Sequence, residues 1–260
     1  MFLNEPPSGP EMPVRDILLD SKLLIRDSCG ADEPSGSIMS TEPLPSVNER
    51  RRVASPDVTP QALAWHKNAL WMGSRDSRRI YGIEPDGWKV FAEAEAPGIP
   101  WAAVSTGETL CFNLGEGAAD DRYLRRYSSD GGFSETDRVP CPDFTGSYLS
   151  YDGSHVYLSQ WYKHRILKLD GSGNILEAYD IGAEICGHTF LDGAIYVLRG
   201  TEQGNEDWRI VRLNLETPGS RQVEDLAKVP FQCRSLAFDG SNFWSNHRVA
   251  NEIVCFALPT

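Results

Sequence analysis

A chain of 260 residues can bury a sizeable core and fits one large all-β domain or two ordinary ones. The 23 Gly, 17 Pro and 26 aromatic residues (7 Trp, 9 Tyr, 10 Phe) suit short strands joined by tight turns and exclude a helix bundle. A formal net charge of −12 argues against a nucleic-acid partner, though a local basic pocket can sit in an acidic protein.

No apolar run is long enough to span a bilayer. The start, "MFLNEPPSGPEMP", lacks the basic and apolar regions of a signal peptide, so no membrane partner and a cytoplasmic location are expected. The six cysteines contain no C-x-x-C and read as reduced thiols.

In chain order the sequence repeats itself. A weak first copy, "RDILLDSKLLIRDS" (15–28), is followed by the polar "NERRRVAS". Fuller copies cover 62–96, 102–132, 147–181, 188–214 and 235–258, each reading strand, Asp-Gly-like turn, strand, polar loop, strand, turn, strand. In "HVYLSQW" and "NALWMGS" dense aromatic and β-branched residues without helical spacing mark strands.

With Leu23, Leu70, Leu110, Val156, Ile195 and Phe243 as markers, the mean spacing of about 44 residues is that of four-stranded propeller blades. The expected fold is all-β: one six-bladed β-propeller domain over 1–260, closed by a strand from before Pro13. The alternative is five blades starting near Asn48 with an N-terminal arm; six is preferred because long structureless segments are uncommon in compact domains.

The "LAFDGSNFW" and "RILKLDGSGNILEAY" blocks resemble the broad group of NHL-type, senescence-marker-protein-30/gluconolactonase and streptogramin B lyase propellers. The resemblance implies architecture rather than activity. Gluconolactonase-like members hold a divalent metal with Glu, Asn and Asp at inner-strand ends. Here the inner-strand starts are Arg15, Gln61, Trp101, Tyr148, His188 and Arg234, with Asp16 the only neighbouring carboxylate. That metal set is therefore not expected, no metal or other cofactor is, and no catalytic residue carries over.

Loops entering the first strand and joining second to third should converge on one face of the ring. The second ring of candidates contains Arg26, Asp27, Arg75, Asp76, Asn113, Glu116, Gln160, Trp161, His164, Arg199, Asn246, His247 and Arg248. Arg15, Arg26, Arg75, Arg199 and Arg234 converging on a mouth would favour an anionic ligand. The plain alternative pairs Arg75 with Asp76, and Arg26 with Asp27 or Asp16, as ordinary salt bridges of the mouth. Trp101, Tyr148 and Trp161 offer flat walls, or else pack between blades, while Trp65, Trp71, Trp208 and Trp244 read as packing residues.

His188 is the expected acid/base, with His247 a second candidate and Arg199 close by; Asn246 or Gln160 could polarise an oxyanion. Cys141, Cys186 and Cys233 precede successive first strands and read as buried thiols more readily than as a soft-metal site. No phosphate loop, dinucleotide fingerprint, H-E-x-x-H or G-x-S-x-G occurs. The expected function is a metal-independent hydrolase, lyase or isomerase acting on an anionic or polar cyclic small molecule. The alternative is a non-catalytic ligand- or protein-binding scaffold; the oligomeric state stays open.

Overall fold

In the computed structural model, which describes residues 43–200, 207–215 and 223–259, strands dominate and the helical pieces are single 3-10 turns. Among the described residues no helix is long and apolar enough to cross a membrane.

The described strands form five four-stranded antiparallel sheets, four of them following chain order from the channel outward. Blade one is β2 (Pro60–His66), β3 (Ala69–Ser74), β4 (Arg79–Glu84) and β5 (Lys89–Glu95). Blade two is β6 (Ile99–Ser105), β7 (Leu110–Glu116), β8 (Asp121–Ser128) and β9 (Gly132–Pro140). Blade three is β10 (Leu149–Tyr151), β11 (Val156–Gln160), β12 (Arg165–Leu169) and β13 (Ile175–Asp180). Blade four is β14 (Glu184–Leu191), β15 (Ala194–Gly200), β16 (Arg209–Asn214) and β17 (Val223–Lys228). Blade five takes β18 (Arg234–Phe238), β19 (Phe243–His247) and β20 (Glu252–Ala257) from the C-terminal end and β1 (Asn48–Ala54) from the other.

The fold is thus a five-bladed β-propeller: the six-bladed expectation is corrected, and the alternative of five blades starting near Asn48 is the one observed. The innermost strands contact one another in the cycle β2, β6, β10, β14, β18 and back to β2, leaving no gap for a sixth blade. The copy at 15–28 and the strand expected before Pro13 lie outside the described residues. Closure comes instead from "NERRRVA", paired antiparallel with β20 from Asn48↔Ala257 to Ala54↔Glu252. Arg52 fastens this strand by an ion pair to Glu252 of β20 at 2.7 Å and is held in turn by Glu49 of its own strand at 2.8 Å.

The Asp-Gly turns of the repeat have a mechanical reason. Asp152 Oδ1 accepts from the backbone N–H of Ser154 (2.8 Å) and His155 (2.6 Å), while its Oδ2 accepts from Tyr157 Oη (3.0 Å). In blade five Asp239 does the same with Ser241, Asn242 and the Trp244 indole N–H. One carboxylate therefore shapes the turn and fixes the aromatic five residues on. Gly153 (φ +94°) and Gly240 (φ +100°) supply the left-handed backbone that comes after it.

The core is divided into five apolar clusters, one at each blade–blade seam. Leu198, Trp208, Phe243 and Phe256 fill the seam of blades four and five. Trp71, Phe112 and Tyr127 fill that of blades one and two. Trp244 lies between Trp65 and Trp88, with ring centroids 6.3 and 6.2 Å away, at the seam that closes the ring. The packing role expected of Trp65, Trp71, Trp208 and Trp244 is what the structure gives them.

Candidate functional site

Each inner strand departs from regular pairing at its first turn. Between Pro60 and Ala62, between Pro100 and Ala102, and between Ile185 and Gly187, one extra residue stands opposite the partner strand. Those residues are Gln61, Trp101 and Cys186. In blade three Ser147 and Tyr148 share Ser159 in the same two-against-one manner, and in blade five the shift begins at Arg234. A bulge kinks its strand and re-aims a side chain. The bulges put Gln61, Trp101 and Cys186 at equivalent places in blades one, two and four, with Tyr148 and Arg234 beside the irregularities of blades three and five.

This register moves the centre of interest in blade four. Cys186, not His188, is the counterpart of Gln61 and Trp101. His188 pairs with Val197, as Ser150 pairs with Tyr157, and the two share the layer below. His188 Nδ1 lies 2.7 Å from Ser150 Oγ, and the ring is 1% exposed.

Above that layer lies a cavity of about 250 Å3. Seven of the expected residues line it: Gln61, Arg75, Trp101, Tyr148, Trp161, Arg234 and, from the loop after β19, Arg248. Arg122, Ser147 and Tyr162 join them. Arg122 was hidden from sequence reasoning because it sits on a third strand. The signal that could have found it is "ADDR", where Asp120 (φ +57°) turns the chain and Arg122 folds back to pair with it at 2.8 Å.

The cavity wall is electropositive. Arg122 stacks on the Trp101 ring at 4.1 Å, and Asp120 accepts from both Arg122 and the Trp101 indole N–H (3.1 Å). Arg75 pairs with Asp76 at 3.0 Å. Arg234 donates to Cys186 Sγ and the Cys233 carbonyl, both at 3.2 Å, and lies over Trp208. Arg248 donates to Gln61 Oε1 at 2.8 Å and forms no ion pair among the described residues. Burial, then the like charges of Arg234 and Arg75, lower its pKa.

Other expected site residues lie elsewhere. His247 is held between Arg52 (3.0 Å) and Glu252 (3.3 Å), beside Phe231. Arg199 pairs with Asp225 at 2.8 Å. Gln160 is buried on Thr145, the Pro142 carbonyl and Arg165. Asn246 donates to the Gln61 carbonyl at 3.0 Å, so it braces the funnel from behind. Asn113 is buried near the Cys141 thiol. Arg15 lies outside the described residues.

The thiols are poor nucleophiles. Burial pushes Cys186 up to about 12, and Cys141 and Cys233 also upward. Among the described residues no group of three His, Cys, Asp or Glu side chains is placed to hold a metal ion.

Burial also pushes the His188 imidazole down from 6.5 to about 4, so it is neutral at physiological pH. An unfolded chain then binds a proton that the folded one refuses between those values, and stability falls as pH drops through this window. The loss saturates near about 3 kcal/mol. The melting temperature of His188→Gln should therefore fall less than that of the parent between pH 6.5 and pH 4. Parallel curves for the two proteins would show that His188 is not the titrating group.

No family model matches the chain, and no curated protein matches its sequence. Among solved structures it is similar to the PQQ-bound form of the aldose sugar dehydrogenase from Streptomyces coelicolor, with a TM-score of 0.55 and 12% identity over 82% of this chain and 98% of that one. It is similar also to Myxococcus xanthus glutaminyl cyclase, with a TM-score of 0.61 and 11% identity over 84% of this chain and 98% of that one. Virginiamycin B lyase from Staphylococcus aureus gives 0.47 and 14%, over 80% and 99%. At such identities the likeness is one of fold: the chain is a β-propeller of four-stranded blades.

Proposed function

We propose that the protein is a small-molecule enzyme that takes an anionic substrate into the funnel and acts on it by metal-independent acid/base chemistry of the hydrolase, lyase or isomerase type. The observation that carries this reading is the convergence of Arg75, Arg122, Arg234 and Arg248 on one small cavity in a chain of net charge −12. Arg75 and Arg122 are paired with Asp76 and Asp120, and the positive charge that remains at Arg248 among these guanidinium groups favours an anionic ligand. Trp101 and Trp161 give that ligand flat walls, and a volume of about 250 Å3 suits a single ring rather than a chain of them.

The propeller is a fold on which a sugar dehydrogenase and a glutaminyl cyclase are built, and it supports enzyme chemistry in this chain by analogy. The Asp-Gly hairpins support a likeness of the blades to the NHL-type and senescence-marker-protein-30/gluconolactonase propellers. His188 lies below the floor and is neutral, so its part is to support that floor through Ser150. Exposed Phe144, Tyr162 and Val249, on loops of the same face, favour a second reading in which that face docks on a protein or glycan.

A thermal-shift screen separates the two. Carboxylates, phosphates and sugar acids should raise the melting temperature, by about 2.7 kcal/mol of stabilisation at a hundredfold excess over Kd, while amines should not. Addition of a chelator should leave the shift intact. A shift from amines alone, or one that vanishes on chelation and returns with a single divalent ion, would sink the reading.

A further inference from the structure

Hydrogen bonds across the floor of the funnel can run in only one direction. Arg248 Nη1 lies 2.8 Å from a Gln61 side-chain atom and has no lone pair, so it must donate, and that atom must be the amide oxygen. The Gln61 amide nitrogen then faces the Trp101 carbonyl at 3.2 Å, which can only accept. Both ends fix the same orientation of the amide. Its remaining hydrogen points to Tyr148 Oη, 3.3 Å away.

Tyr148 Oη is therefore an acceptor towards Gln61, and its own hydrogen must go elsewhere. Among the described residues Tyr148 Oη has no hydrogen-bond partner besides Gln61, although the side chain is buried and lines the cavity. Buried hydroxyls are almost always satisfied on both sides. We propose that Tyr148 is the specificity-determining donor of the funnel: it gives its O–H to an oxygen of a ring-bearing carboxylate whose charge rests against Arg248.

The inference depends on the reading of the funnel as an anion site and sharpens it to a class. A ligand must present an acceptor oxygen at the floor, which excludes an ammonium or amidinium group at that end. Its ring would lie along Trp101, whose far face is already covered by the Arg122 guanidinium at 4.1 Å. Burial pushes the Tyr148 phenol up to about 12, so the donor proton is present at neutral pH. Gln61 is a positioning residue, since it sets the direction without needing to touch the ligand.

The test is isothermal titration of the full chain with benzoate and, as control, benzylamine. Wild type should bind benzoate alone. Tyr148→Phe removes one oxygen from a packed ring and should weaken benzoate roughly ten-fold with little change in melting temperature. Gln61→Glu offers Tyr148 a carboxylate acceptor, turns the hydroxyl away from the cavity and pairs with Arg248, so benzoate binding should vanish; Gln61→Leu, which leaves the hydroxyl free, should keep part of it. If Tyr148→Phe or Gln61→Glu binds benzoate as tightly as wild type, the inference fails while the anion site stands. If wild type binds benzylamine, or does not bind benzoate at millimolar concentration, both fall.

Discussion

Replacement of Arg248 by methionine should abolish the anion response of the funnel and, at the same time, raise the melting temperature of the ligand-free protein. The two halves have one cause. Arg248 is half-buried, is disfavoured by its own desolvation and by Arg234 and Arg75, and has only the Gln61 side chain as a polar partner among the described residues. Removing a partly desolvated, unneutralised charge commonly stabilises a fold, and methionine fills much of the same space. Against this stands the loss of one hydrogen bond to Gln61, about 1 kcal/mol. If relief of desolvation and repulsion exceeds that loss by about 1–2 kcal/mol, a domain of this size melts a few degrees higher. Losing a charge-assisted bond to the ligand should cost about 1.5–3 kcal/mol, or roughly ten- to a hundredfold in affinity. Calorimetric melting with and without benzoate measures both. A variant that melts lower and still responds to anions would show that Arg248 is a structural residue.

Loss of the closing strand should have the largest effect on stability. A chain beginning at Pro43 keeps β1 and its approach, in which Val47 is buried and the backbone of residues 45–47 bonds to Lys228. It should melt in one cooperative transition near the parent. A chain beginning at Ser55 leaves β20 as an open edge and strips the ion pairs of Arg52 and the contact of Arg51 with the Trp88 ring. Several kcal/mol should go with it, on the order of 10 °C in melting temperature, and the bare edge should promote association. Scanning calorimetry with light scattering tests this. Equal melting of the two chains would mean that the ring is held by its seams and not by its clasp.

Blade grammar is legible because blades three and five repeat a local mechanism. The carboxylates of Asp152 and Asp239 act within six residues, so the pattern survives in the sequence. The closing strand is not legible for the opposite reason: it is outermost, half-exposed and bonded to a partner two hundred residues away, so "NERRRVA" carries no alternation of burial. The expected blade number goes astray with it, since a last blade short of one strand draws that strand from the wrong place. At the site, repeat alignment puts Gln61, Trp101, Tyr148 and Arg234 on the funnel. It misassigns blade four, because a bulge adds one residue to a strand without any composition of its own. His188 is conspicuous in sequence and lies buried below the cavity; Arg122 is inconspicuous in sequence and lines it.

The ring of bulges has a further consequence. A residue that is surplus to the ladder can change without shifting the pairing of its neighbours along the strand, and here that place is occupied by an amide in blade one, an indole in blade two and a thiol in blade four. Three unrelated chemistries sit on one geometry. The funnel therefore behaves as a set of sockets, insulated from the sheets that carry them, into which recognition groups can be exchanged by mutation or by design while the blades stay in register.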